Sequence, residues 1–191
     1  MFGRMIRRGA VVVAGVVAAG VAMAGTASAT WYDRYGPERP AGSEGRSHLV
    51  CTQARGINGV WTEWRCGDFT PYGYRPGVTP ALYPYGWQLQ ALRVKQWGLT
   101  QLCIDALVGG LGWRGAVCGG DGQLFEVGSP DYHHAMNGFS VANYDPTDTL
   151  VHLAYTDNGT SDGAFAGSWA IPPNSWQLFD LGTSIYRYGI V

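Results

Sequence analysis

Lysine occurs once in the 191 residues of this chain, at Lys95. A single lysine cannot make the basic patch that nucleic acid or an anionic membrane surface requires. Charge of either sign is scarce, at 14% of residues. No stretch shows the three- and four-residue recurrence of a long amphipathic helix, which argues against a helical fold. Cysteine stands at four positions only, Cys51, Cys66, Cys103 and Cys118. No two of these are spaced by two to four residues, so the usual zinc pattern is missing. The G-x-S-x-G turn of a serine hydrolase is missing as well. Nothing in the sequence calls for a cofactor or a metal.

What is present begins with an export signal. Arg4, Arg7 and Arg8 precede an apolar run over residues 10–25, and Ala27-Ser28-Ala29 supplies the small residues a signal peptidase accepts. We expect residues 1–29 to be a signal peptide cleaved after Ala29, and 30–191 to be one secreted domain. A membrane anchor would need about 20 apolar residues with larger side chains. Loss of the three leader arginines takes 13 basic residues to 10, against 14 acidic ones. The exported chain is then acidic. That excludes nucleic acid as a partner and, after cleavage, the membrane; a monomer is the default. In an oxidising compartment the four cysteines read as two disulfides.

The cysteines also mark a repeat. Cys51, Trp61 and Cys66 map onto Cys103, Trp113 and Cys118 with one offset. Among the three pairings open to four cysteines, this favours Cys51–Cys66 and Cys103–Cys118. WQLQALRVKQW (87–97) aligns with HAMNGFSVANY (134–144), and GQLFEVGSPDY (122–132) with WQLFDLGTSIY (176–186). Thr149 and Pro172 take the cysteine positions in a third unit. Leu92 and Val94 alternate with Arg93 and Lys95, and Phe139 and Val141 with Ser140 and Ala142, as in half-buried strands. Three units of roughly 45–52 residues follow, at about 48–99, 100–147 and 148–191. Units of this size cannot bury their own apolar faces and must pack together. The expected fold is all-β and β-trefoil-like, with three pseudo-repeats; the alternative is a linear stack of β-hairpin modules.

These residues carry a family resemblance. The stretch LQALRVKQWGL…IDALVGGLGWRGAVCGGDG resembles the clostridial hydrophobic-tryptophan (ChW) repeat, through Gly112-Trp113 and Asp121-Gly122. In the first unit Trp61 and Trp64 match the paired aromatics, with Val60 where the glycine would stand, and the third unit lacks Gly-Trp. The resemblance implies a secreted or surface-attached Gram-positive protein with a part in cell-surface, glycan or protein binding. It brings no catalytic residues. Cys103-Ile104-Asp105-Ala106 and Gln123-x-Phe125 give a fainter similarity to ricin-type β-trefoil lectins, whose Q-x-W is Q-x-F here.

Aromatic faces stack on sugar rings and anchor interfaces. Trp61 and Trp113, at the repeat position, are expected in the core. Trp64, Trp87 and Trp97 border loops or break the alternation. With Tyr72 and Tyr74, from the Pro-, Gly- and Tyr-rich segment 69–86, they are the candidate ligand-binding residues. Asp131-Tyr132-His133-His134 is the one cluster resembling a catalytic or metal group, yet adjacent histidines on an extended chain point to opposite faces. His48 or His152 would have to complete it. Glu63, Glu126 and Asp105 are further carboxylates that could pair for glycoside hydrolysis. The expected function is a secreted, non-catalytic module that binds cell-wall or cell-surface glycan. The alternatives are a secreted protein-binding inhibitor acting through 69–86, on a secreted or surface protein, and, less favoured, a hydrolase.

Overall fold

The computed structural model describes residues 36–43, 47–56, 59–70, 73–75, 88–129, 134–156 and 164–190, all but the first of them in the compact unit Pro37–Val191. Residues 1–29, where a signal peptide is expected, lie outside the described residues, as does most of 69–86. Short alternating runs separated by Gly, Pro, Asn and Asp become strands, and no helix occurs among the described residues. In chain order the strands are β1 (Leu49–Gly56), β2 (Arg65–Thr70), β3 (Gly73–Arg75), β4 (Leu89–Trp97), β5 (Leu102–Val108), β6 (Gly112–Trp113), β7 (Val117–Gly119), β8 (Leu124–Gly128), β9 (Met136–Asn143), β10 (Leu150–Thr156), β11 (Ala164–Ile171), β12 (Ser175–Asp180) and β13 (Ile185–Ile190).

Three antiparallel sheets result. The first runs β3-β2-β1-β4-β8, the second β12-β9-β5-β6 with β7 also on β5, and the third β11-β10-β13. One connectivity recurs in all three. β1, β5 and β10 each pair on one side with the strand that follows and on the other with β4, β9 and β13 respectively. β8 then crosses to β4, and β12 to β9, so that each of the first two sheets is completed by a strand from further along the chain. β13 packs back against β1, which closes the set. The protein is all-β, and this closure fits the trefoil-like arrangement better than a linear stack.

Alternation turns one side of every strand inward. Val50, Leu92, Ile104, Phe139, Leu150 and Tyr188 come from all three sheets into a single core. Phe139 and Tyr188 pack there as tilted rings with centroids 4.2 Å apart. Each fully buried aliphatic or aromatic side chain of this kind contributes about 1.5–3 kcal/mol. His152 also points inward and is fully buried, with its ring 4.7 Å from Trp169 and 4.0 Å from Phe179. Burial holds its imidazole far below the ordinary range, at about 3. Through Phe179 it joins the third sheet to β12.

The disulfides form as the repeat suggests, Cys51–Cys66 and Cys103–Cys118, between residues directly opposite in their ladders. Each closes a loop of 15 residues, worth about 3 kcal/mol through the unfolded chain. In the third sheet the register corrects the sequence alignment: the pair equivalent to each disulfide is Val151 opposite Ala170, and Thr149 and Pro172 lie beyond the end of the ladder at Leu150 and Ile171. The connection from β9 to β10 is held by Asp145. Burial alone would raise its carboxyl, but N–H groups of Thr147, Asp148 and Thr100 and the Thr147 hydroxyl donate to it and bring it down to about 2.

Candidate functional site

The outward sides of the first two sheets have the same register and different side chains. In the first, Ala91, Arg93 and Lys95 of β4 lie opposite Arg55, Gln53 and Cys51 of β1. Trp61 is bridged to Arg55 and lies over two guanidinium groups, Arg93 at 4.1 Å and Arg55 at 5.2 Å, a cation–π arrangement. Arg93 Nε donates to Glu126 at 3.1 Å, and Lys95 Nζ sits 5.2 Å from the Trp97 ring. Burial pulls the Lys95 ammonium below its usual range, against the pull of Glu38. Long side chains and their partners fill this face.

In the second sheet Gly138, Ser140 and Ala142 of β9 lie opposite Leu107, Asp105 and Cys103 of β5. Ser140 thus stands where the first sheet has Arg93, and Ala142 where it has Lys95. Trp113 is opposite Leu107, just as Trp61 is opposite Arg55. With no guanidinium beneath it, Trp113 is left 39% exposed. Across the sheet, β12 sets Trp176 opposite Ala142 and Leu178 opposite Ser140. Trp176 is 65% exposed, and Leu178 and the neighbouring Tyr144 are exposed as well. Short side chains on β9 therefore form a floor between two apolar walls. Gly138 is required for this geometry: a Cβ there would stand 2.3 Å from the Phe179 carbonyl oxygen of β12.

Asp105 is the one carboxylate among the outward residues of β5. Its Oδ1 accepts from the backbone N–H groups of Arg114 at 3.1 Å and Gly115 at 2.9 Å. This clamps the turn that presents Trp113, a turn entered through Gly112 at φ 76°, where a side chain would be strained. Oδ2 is left for an outside donor. Ring faces beside a hydroxyl and a carboxylate suit a sugar, which offers an apolar face and a rim of hydroxyls.

The residues singled out by sequence are distributed differently. Trp64 is half-buried against the cluster of Leu49, Cys51 and Trp97, and Trp97 itself is only 8% exposed, so it offers no face to a ligand. Tyr74 lies in β3 opposite Phe69. Trp87 and Tyr72 fall outside the described residues. The expectation that Trp113 is core is corrected: it lies on an outward position, and Trp61 is half-buried on the equivalent one. Trp176, Leu178 and Tyr144 were not singled out, although the alternation in Trp176-Gln177-Leu178-Phe179 already separates Trp176 and Leu178 from Phe179.

The catalytic candidates are dispersed. Asp131, Tyr132 and His133 lie outside the described residues, and His134 Nδ1 is 3.0 Å from the Gly109 carbonyl oxygen. His48 Nδ1 lies 2.9 Å from Asp148 Oδ2 and 3.3 Å from Ser47 Oγ. They line an open depression of about 240 Å³ with Thr147 and Thr149. A proton relay needs hydroxyl and carboxylate on opposite ring nitrogens, and here both meet the same one. Glu126 is taken by Arg93, Glu63 pairs with Arg65 at 3.3 Å, and Asp105 clamps its turn. Among the described residues no three His, Cys, Asp or Glu side chains gather as a metal-binding group.

Fold and site together define an all-β, two-disulfide protein with an aromatic-walled sheet face. Compared with known proteins, the chain matches no protein family, no curated protein and no solved structure. Its disulfides fit an oxidising environment. No helix among the described residues is long and apolar enough to cross a membrane.

Proposed function

We propose that this is a secreted, non-catalytic binding module that recognises a cell-wall or cell-surface glycan through the outward face of its second sheet. The observation that carries the reading is the pair of exposed tryptophans, Trp113 and Trp176, on one face and separated by a floor of Gly138, Ser140 and Ala142. Exposed tryptophan is costly to leave in water and is the side chain most often found at binding hot spots. The leader ending at Ala29, the oxidised cysteines and the resemblance to hydrophobic-tryptophan repeats agree with an exported surface binder. The test is retention of the protein on purified cell walls, with tryptophan fluorescence as the readout. Retention and a fluorescence change are expected, and Trp176→Ala or Trp113→Ala should weaken binding by about tenfold or more. Neither retention nor a change in fluorescence with any wall or glycan preparation would sink the proposal.

A further inference from the structure

Resting on that reading of the second sheet, we infer that its ligand is an extended, uncharged polysaccharide lying along the diagonal from Trp176 to Trp113, and that polyanionic glycans are excluded. The register sets the direction. Trp176 lies opposite Ala142 on one edge, and Trp113 opposite Leu107 on the other, with Ser140 and Asp105 paired to each other midway. Strand spacing and rise put the two tryptophans roughly 20 Å apart along that diagonal, a span of several sugar rings and far longer than one. The line between them crosses Ala142 and Ser140 on β9 and then Asp105 and Leu107 on β5, so a chain of rings can lie close to the β9 backbone while its ends stack on indoles.

Charge selects the ligand class. The outward positions of β12, β9 and β5 carry Asp180 and Asp105 and no cationic side chain. A sulfated, phosphorylated or uronic chain would run over both carboxylates without a counter-charge. The corresponding positions of the first sheet do carry Arg55, Arg93 and Lys95, but there Trp61, Trp97 and Glu126 occupy them. Hydroxyls of a neutral chain find acceptors in Asp105 and Ser140. Arg114, exposed and next to Trp113, is a cation at one end of the line, and its backbone N–H donates to Asp105.

The test is a titration of the disulfide-intact protein, without its leader, with neutral β-linked gluco-, manno- and chito-oligosaccharides of increasing length, and with heparin as the polyanion. For at least one neutral series, affinity is expected to climb with length and then level off, while heparin binds at least about tenfold more weakly. Trp113→Ala and Trp176→Ala should each abolish the gain with length and leave the affinity for the shortest ligands within about threefold. Ser140→Arg puts into the floor the side chain that the first sheet accommodates at the same position. It should fold normally and lose about tenfold or more for the long ligands. Glycan binding that ignores length, survives Ser140→Arg, or favours heparin overturns this inference and leaves the glycan-binding reading standing. Absence of binding to every glycan overturns both.

Discussion

His152 packs its ring against both Trp169 and Phe179, and neither ring nitrogen has a hydrogen-bond partner among the described residues. The unfolded chain takes up a proton on this imidazole near its ordinary value of 6.5, whereas the folded chain resists until about 3. Between those values the unfolded state holds more protons, so stability falls as the pH drops and is unaffected above 6.5. From pH 6.5 to pH 4 the loss is on the order of 3 kcal/mol. Asp145 acts lower down: its carboxyl, depressed to about 2, contributes stability above 3.8 that disappears as the pH falls towards 2. His152→Phe keeps a ring among the aromatic neighbours and removes the proton. Urea midpoints measured across this range should slope steeply for the wild type and nearly flatten for the variant; equal slopes would refute the assignment. The tryptophans teach a related lesson about what single residues disclose. Trp61 and Trp113 occupy one repeat position, and what separates them is the residue across the sheet, Arg93 in one case and Ser140 in the other. The alignment of 87–97 with 134–144 contains that difference. Its meaning depends on a contact between strands that no local pattern reports.

Among the elements, β12 is the one on which the proposed face depends. It reaches β9 only because Gly138 lacks a Cβ, which would meet the Phe179 carbonyl at 2.3 Å. Gly138→Ala should therefore push β12 outward, cost about 1–3 kcal/mol and weaken glycan binding through Trp176, although it changes no residue of the walls. Thermal unfolding and a binding titration on the same preparation check this; a variant as stable and as tight-binding as wild type would contradict it. Strand character and the disulfide pairing were legible in sequence, since alternation and the Cys–Trp–Cys spacing are local. Register between distant strands was less so. Sequence aligns Leu124 with Leu178, yet Leu124 lies opposite Lys95, and Leu178 lies opposite Ser140, the counterpart of Arg93. The two ladders differ by a slip of two residues. Such a slip keeps every side chain on its own face, so hydrophobic patterning cannot detect it, and it decides that Trp176 stands opposite Ala142.

For the whole molecule, β8 and β12 complete sheets begun by the preceding unit, so that neither of the first two units has a finished sheet of its own, and the core draws on all three. A chain ending at Asp148 would lose β12 from the second sheet together with Leu150, Ile171, Tyr186 and Tyr188 from the core. We expect it to fail to fold, with circular dichroism and amide dispersion of an unfolded or aggregated chain, while the intact protein melts in a single transition. A soluble, cooperatively folded fragment would show that the units are independent after all. The same arrangement imposes an order. Trp113 precedes Trp176 along the chain, and the two come to share one sheet only once β12 has paired with β9. Until then Trp113 faces solvent on a half-built sheet whose next strand has yet to appear. If that face binds glycan as proposed, a chain whose β12 has not yet docked on β9 carries only one of its two indole walls.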